Sequence, residues 1–411
     1  MGMTKPMRIL IATSTYAPAR NGQAVFTTNL AEGLVARGHP VLVVVDSSHR
    51  KGLHTFRNGV EVVELPSIGL NLFDAGVNFT PFPGNQVRQL INKFQPDIVH
   101  IQDHYPVCRA ALHIARQLGI ITVGSNHFIP ENLAPYIPGY SLTKPLIDWA
   151  LWHWMLETYG HLDAISAQSC AAAEILSHQG LAMPVSAISC GLDVSRYKFD
   201  PLTDRQAYQQ RYGLDHTKTI FMFLGRIDGE KRIELLIKTM QQLPRDDIQV
   251  VIAGKGRAED KLHIMAANLL ANKKIVFTGF IPDEDLPGLL NSVDIFVMPS
   301  EAELLSISTL EAMACGLPVL VADALALPEL VRQGENGYCF KAGDVDDLAG
   351  YMILMADHPE RWPAMGLVSR KIAMEHSLDH VINEFEQLYQ RLVERTSVIP
   401  SKQPTKMPLK A

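Results

Sequence analysis

The sequence is short of cysteine, of long apolar runs and of surplus positive charge. Its 411 residues include five cysteines (Cys108, Cys170, Cys190, Cys315 and Cys339), scattered and without a CxxC pair. That spacing excludes a zinc site and a disulfide framework, and reduced thiols fit a cytosolic chain. No apolar run reaches the roughly 18 residues that a membrane-spanning helix needs. The opening stretch MGMTKPMRILIATSTY lacks the apolar core and the cleavage site of a signal peptide. Its Gly2 and Pro6 do not fit a myristoylation pattern. The expected location is the cytoplasm, with peripheral contact on the inner face of a membrane left open. The formal net charge is −6. Residues 1–200 carry 14 basic and 14 acidic side chains, so the whole excess lies in 201–411. No basic footprint exists, and nucleic acid is excluded as a partner.

What is present is alternation. MRILIATSTYAP reads as a short buried strand running into a loop. GQAVFTTNLAEGLVARGH follows with Val25, Leu30, Leu34 and Val35 at helical spacing. PVLVVVDS is a second strand; VRQLINKFQPDIVHIQD and ALHIARQLGIITVGSNH each give a helix and then a strand. The pattern restarts after ISCGLDVSRYKFDP with TIFMFL, IQVVIA, IVFTGFI, DIFVMPS and PVLVAD as strands and helices between them. Nearly all-apolar strands alternating with helices predict an α/β chain with two doubly wound parallel sheets, covered on both faces. SLTKPLIDWALWHWMLETYGHLDA is Trp-rich and helical in pattern. It suits a core helix of the first domain, and Trp also favours a bilayer interface. LDHVINEFEQLYQRLVERT is an amphipathic helix, and the lysine- and proline-rich remainder from 397 is expected to be a disordered tail.

Ligands of open parallel sheets bind outside the carboxyl ends of the strands, so the residues that follow each strand carry the interest. In LGRIDGEKR, Arg226 and Lys231 follow a strand in a glycine-punctuated loop. Two cations there suit a diphosphate, and a solvated loop is the plainer account. In SEAELLSISTLEAMACG, Glu301 and Glu303 follow the strand DIFVMPS. Ser306 or Ser308 can cap the next helix, whose early turns carry Glu311. A helix N-terminus offers unpaired N–H groups to phosphate. Carboxylates beside it would repel a bare phosphate, so hydroxyl groups of a sugar or ribose are the better partners. The plainer account makes Glu311 a helix-dipole residue and Glu303 a solvated one. In STYAPARNGQAVF, Gly22 permits close approach of a ligand, but the three glycines of a dinucleotide fingerprint are missing. His127 follows the strand in VGSNHF, on the same side. Cys315 reads as a small buried residue at a helix end. Asp283–Asp285 could hint at a DxD metal site, but acidic residues favour the first turn of a helix and a helix start is the preferred reading.

GRIDGEK, AGKG, FTGFIPDEDL and the Glu303–Glu311 spacing followed by EAMACGLPVL resemble, as a set, the retaining glycosyltransferase family four (glycosyl transferase group 1). The likeness runs over nearly the whole chain. It implies a GT-B fold of two Rossmann-like domains facing a cleft. The N-terminal domain, 1–195, would bind the acceptor and the C-terminal one, 196–378, the nucleotide sugar. A last helix, 379–396, would cross back to the first domain. It implies that Arg226 and Lys231 neutralise the donor diphosphate, that Glu311 binds the ribose hydroxyls and that Glu303 faces the transferred sugar. Backbone groups at Ser306 and Ile307 would hold sugar and phosphate. Gly254 and Gly279, Phe280 and Ile281 would border the base. Gly22 matches the second glycine of an N-terminal pair, and His127 a cleft histidine near the reacting carbon. Two departures stand out. The usual EGFG is ELLS here, with Ser306 in place of a glycine, and the glycine pair is Asn21-Gly22.

The implied activity is transfer of a hexose, with retention, from a nucleotide-diphosphate sugar to an acceptor hydroxyl, with UDP-sugars favoured. No cofactor or metal is expected, because fixed charges and helix dipoles would stabilise the leaving diphosphate. The acceptor is a lipid such as diacylglycerol or a glycan; a lipid would bring peripheral membrane association. Transfer to a soluble sugar, epimerisation of a sugar nucleotide and non-catalytic binding are the other readings. A GT-B phosphorylase would need a much longer chain.

Overall fold

Strands made only of apolar residues need cover on both faces, and that requirement organises this chain. A computed structural model describes residues 5–19, 21–47, 51–72, 75–129 and 140–398. In the N-terminal part, β1 (Ile9–Thr13), β2 (Val41–Asp46), β3 (Leu53–Arg57), β4 (Val60–Leu65), β5 (Ile68–Leu72) and β6 (Ala75–Phe79) come first. β7 (Ile98–Ile101), β8 (Ile121–Asn126), β9 (Ala164–Ala167) and β10 (Val185–Ala187) follow. β1, β2, β7 and β9 are buried at every residue. The sheet order is β10-β9-β8-β7-β1-β2-β4-β3, and β5 with β6 form a separate antiparallel pair. β1 runs parallel to both β2 and β7. The edge strand β3 is antiparallel to β4. Asn58-Gly59 turns that hairpin, both with positive φ, the conformation a two-residue hairpin loop requires.

A second sheet holds β11 (Thr219–Leu224), β12 (Ile248–Ala253), β13 (Ile275–Gly279), β14 (Ile295–Met298), β15 (Val319–Ala322) and β16 (Gly337–Phe340). Its order is β13-β12-β11-β14-β15-β16, and every pair is parallel. Phe221, Phe223, Phe296 and Phe340 are fully buried in it. Among the described residues the chain divides by contacts into two compact units. One comprises Met1–Ser125, Glu157–Ile165 and Ile382–Ala411, the other Asn126–Leu156 and Ser166–Val381.

The Trp-rich segment is the helix Tyr140–Tyr159. Trp152, Met155 and Tyr159 are buried, whereas Leu146 and Trp149 are 68% and 63% exposed. The core reading therefore fits one side of this helix only. Among the described residues no helix is long and apolar enough to cross a membrane. Asp285 directly precedes the helix Leu286–Leu290, and its carboxylate is held by Arg211 and Tyr212. The expected helix start is there.

The last helix, Leu378–Val398, runs two residues past the expected end at 396, and the tail from 399 lies outside the described residues. From Ile382 onward it belongs to the first unit. Phe385 and Tyr389 are fully buried there. Tyr389 Oη lies 2.8 Å from His100 Nδ1. Glu386 is buried and bonded to His39 and Arg37. His39 Nδ1 accepts from the Met7 N–H at 3.0 Å, so Nε2 carries the proton and donates to Glu386 at 2.8 Å. Removing the carboxylate strands the buried His39 donor. Glu386→Ala should therefore lower unfolding stability by about 3 kcal/mol, read from urea denaturation midpoints.

Candidate active site at the switch point of the second sheet

From β11 the chain steps outward to β12 and β13. At β14 it returns beside β11 and then steps the other way to β15 and β16. The two neighbours β11 and β14 thus send their following loops to opposite sides, and a crevice opens outside their carboxyl ends. The loop after β11 carries Arg226 and Lys231; the loop after β14 carries Glu301, Glu303 and Ser306.

These two loops are tied together by charge. Lys231 Nζ lies 2.5 Å from Glu303 Oε1, with side chains only 16% and 9% exposed. Arg232 sits 3.2 Å from Glu301 Oε1, and Ser300 Oγ donates to the Glu230 carbonyl at 3.3 Å. Arg226 is more open. Its guanidinium donates to Asp228 at 2.6 Å and to Glu230 at 2.8 Å, and its side chain is 60% exposed. The sequence expectation brought these residues to one place. It did not foresee that Lys231 and Glu303 would be partners of each other.

Glycines set the spacing of the neighbouring loops. A Cβ on Gly254 would lie 1.9 Å from the Gly225 carbonyl oxygen, and one on Gly256 2.3 Å from that of Ile227. The loops are hydrogen-bonded side by side: Gly225 N–H to Ala253 O at 3.0 Å, Ile227 N–H to Lys255 O at 3.0 Å, and Gly254 N–H to Gly279 O at 2.8 Å. The AGKG motif therefore has a packing cause of its own. Next to it, Phe280 is 59% exposed and Ile281 is buried.

Ser306 caps the helix Ile307–Ala314. Its Oγ accepts from the Thr309 N–H at 3.4 Å and from Thr309 Oγ1 at 2.7 Å. Its φ of −93° suits any residue, so the backbone here does not need the glycine that the family pattern has. Capping turns the hydroxyl inward, and Ser306 is buried. Glu311 lies in the same helix. Burial pushes its carboxyl up to about 7, and the Tyr197 hydroxyl hydrogen-bonded to it pulls the other way. Arg196, stacked over the Tyr197 ring at 5.2 Å, adds a favourable charge. Arg196 and Tyr197 come from the connecting stretch GLDVSRYKFDP, which reads from sequence only as a joint. No period or spacing singles out a phenol there. Cys315 ends the helix as expected, and burial pushes its thiol up to about 12.

The remaining candidates lie elsewhere. His127 follows β8, and its Nδ1 is 3.0 Å from Gln168 Nε2. Gly22 opens the helix Gly22–Ala36, capped by Asn21. A Cβ on Gly22 would meet nothing within 4 Å, so the protein's own packing gives no reason for a glycine there.

The family described as Glycosyl transferases group 1 matches residues 204–366, and Glycosyltransferase Family 4 matches residues 20–196. A GDP-mannose-dependent alpha-mannosyltransferase of Corynebacterium glutamicum is 28% identical over 82% of this chain and 77% of its own. An alpha-monoglucosyldiacylglycerol synthase of Streptococcus pneumoniae is 23% identical over 84% of this chain and 78% of its own. Among solved structures, Anabaena Alr3699/HepE in complex with UDP superposes with a TM-score of 0.72 at 19% identity, covering 94% of this chain and all of that one. The likeness to such structures shows the GT-B fold.

The raised Glu311 carboxyl makes a stability prediction. The folded chain holds that proton more tightly than the unfolded chain, so ionisation costs stability as pH rises from about 4.5 to 7. Relative to Glu311→Gln, the wild type should lose about 3 kcal/mol across that window and stay level above it. Urea titrations at pH 5, 6, 7 and 8 check this.

Proposed function

The chain belongs to glycosyltransferase family four and acts on nucleotide sugars, and on that premise we propose that it moves a hexose, with retention at the anomeric carbon, to an acceptor hydroxyl. The observation that carries this reading is the meeting of Arg226, Lys231 and Glu303 at the switch point, beside the capped helix that bears Glu311. Arg226 and Lys231 take the diphosphate: the guanidinium by two parallel hydrogen bonds, the ammonium as a point charge. Glu311 accepts from the ribose hydroxyls, and contact with them favours its ionised form. Glu303, held by Lys231, faces the transferred sugar and accepts from its hydroxyls. Backbone N–H groups at Ser306 and Ile307, the first of the helix, add hydrogen bonds to the leaving phosphate. Gly254, Gly279, Phe280 and Ile281 border the base, with Phe280 supplying an exposed ring. Gly22 and His127 serve from the N-terminal part, the glycine by leaving room for the donor and the histidine beside the reacting carbon. The N-terminal region 1–195 holds the acceptor, and 196–378 the donor.

The chemistry asks for stabilisation of a departing diphosphate, and oppositely charged groups fixed in place supply it without reorganising. No resident metal or cofactor is proposed. No carboxylate is assigned as a covalent nucleophile; attack on the face the diphosphate leaves accounts for retention.

The base and the acceptor are finer choices. UDP-sugars are the expectation from sequence, and the name of the Corynebacterium glutamicum relative moves the first choice to GDP-mannose. A lipid acceptor is supported by the name of the Streptococcus pneumoniae relative and by Leu146 and Trp149. These two exposed apolar side chains lie one turn apart on a single helix, which suits insertion into the interfacial layer of a membrane. Such contact would place the protein peripherally on a cytoplasmic membrane face. The electroneutral first 200 residues give no general attraction to anionic lipid. A soluble sugar acceptor, sugar-nucleotide epimerisation and binding without turnover remain the alternatives.

Purified protein with GDP-mannose, UDP-glucose or ADP-glucose, with and without diacylglycerol vesicles, separates these readings. The expected result is nucleotide release with one donor, stimulated by vesicles, and an α-linked product by NMR. Lys231→Ala should cut kcat by about 10²–10³. Release unaffected by that substitution contradicts the assignment of Lys231, and an acceptor-free isomerised donor supports the epimerase instead.

A further inference from the structure

A cavity of about 580 Å³ lies wholly within the second unit. Asp294 and Pro318, which directly precede β14 and β15, are among its walls. It therefore sits at the amino ends of these strands, opposite to the end that carries Arg226, Lys231 and Glu303. No residue assigned to the nucleotide sugar lines it. Its size suits a small molecule.

Close packing fixes its shape. The helix Trp362–Glu375 lies against the turn that follows Ala314: a Cβ on Gly366 would come 2.0 Å from the Gly316 carbonyl oxygen. Gly316 has a φ of +84°, and a Cβ there would lie 3.6 Å from that of Phe199. Asn291 pins another wall. Its Nδ2 donates to the Lys198 carbonyl at 3.0 Å, and its Oδ1 accepts from the Asp200 N–H at 2.9 Å. The indole N–H of Trp362 is spent on the Met355 carbonyl at 2.9 Å, which leaves an apolar ring in the lining. Phe199 and Leu367 also line the cavity, and they stand 63% and 74% exposed. Large apolar side chains grouped in water around a concavity mark a place for a partner.

Four charged side chains line the same cavity, and two of them cancel. Arg205 donates to one Asp294 oxygen at 2.7 Å, and the Ile220 N–H donates to the other at 2.9 Å. Lys198 and Arg370 are different: neither makes an ion pair among the described residues. Lys198 is exposed and Arg370 half-buried. The Arg370 hydrogen bonds, to the carbonyls of Ala314 and Tyr197, both use Nη1. Its Nη2 has no acceptor among the described residues and keeps accessible surface. An apolar concavity thus carries two unmatched positive charges that a ligand can reach.

We propose that this cavity binds a small monocarboxylate with an apolar body, an aryl or short acyl acid. Its carboxylate meets Arg370 and Lys198, and its body covers Phe199, Trp362 and Leu367. Charge chooses the occupant. A neutral apolar molecule would take two cations out of water without return, and a cationic one would be repelled by both. A carboxylate meets the guanidinium and the ammonium with charge-assisted hydrogen bonds. The site is independent of the transferase reading, because none of its residues serves the nucleotide sugar.

The test uses the full chain. Calorimetry and saturation-transfer NMR would measure binding of 3-phenylpropionate, indole-3-propionate, octanoate and decanoate, each against its uncharged amide. At least one acid should bind, with its amide roughly tenfold weaker or more. Binding of the aryl acids alone assigns a ring as the body, and binding of the alkyl acids alone assigns a chain. Lys198→Met and Arg370→Met should each weaken the acid several-fold and leave its amide unchanged. Leu367→Glu, at an exposed position, puts a carboxylate at the rim and should abolish acid binding. A cooperative thermal unfolding transition reports that each variant is folded. GDP and UDP should leave the bound acid in place. Folded protein that binds none of the acids overturns the proposal. So does an amide that binds as well as its acid, acid binding that survives all three substitutions, or displacement of the acid by nucleotide. Self-association by light scattering that is lost in Leu367→Glu, without acid binding, assigns the patch to a second copy of the chain and also overturns it.

Discussion

A parallel sheet covered on both faces can present polar chemistry only along its edges and ends. That constraint governs this chain twice. The inner strands of each sheet, such as β1, β2, β11 and β12, are mostly apolar and buried, as strands covered on both faces are. The charged groups assigned to the donor therefore sit beyond the strand ends, in the loops or, for Glu311, in the helix that follows. In the second sheet the reversal between β11 and β14 parts two such loops, and the Lys231–Glu303 pair spans the gap. The pair is shielded, so removing either partner would leave the other charge with no equal substitute. It fixes the position of a cation and a carboxylate that are wanted for different parts of one ligand.

The two units use their strand ends in contrasting ways. At the switch point cations and anions alternate, and each has a named partner. In a cavity of the first unit Glu64 is paired with Arg57 and Asp46 accepts from Thr80. Alternating charge suits a donor that brings its own phosphates and its own hydroxyls. Glycines serve a structural purpose between these chemistries. Gly254 and Gly256 let the β11 and β12 loops touch backbone to backbone, whereas at Gly22 no atom of the described residues demands the missing side chain.

Much of this was legible in the sequence, and the reasons differ by residue. The strands of the second sheet announce themselves as apolar runs between turn residues, and the Ser306 cap follows from a serine placed ahead of an apolar helix. Once strands are placed, chain direction alone puts Arg226, Lys231 and Glu303 at carboxyl ends. The pairing of Lys231 with Glu303 was not legible, because which side chains meet depends on strand order rather than on local spacing. Tyr197 beside Glu311 was hidden for the same reason: its partner stands more than a hundred residues away. The β3–β4 hairpin has a clear signal in Asn58-Gly59, a pair suited to a two-residue turn. Within one helix, Leu146 and Trp149 look no different from Trp152 until exposure separates them.

The central claim is that a nucleotide sugar lies across the β11–β14 crevice with its diphosphate on Arg226 and Lys231. A crystal structure of the full chain soaked with GDP-mannose or UDP-glucose tests it most directly. The account predicts diphosphate oxygens about 3 Å from both side chains and ribose hydroxyls on Glu311. A nucleotide bound with its phosphates away from Arg226 and Lys231, or with Glu311 still turned to Tyr197 alone, would contradict it.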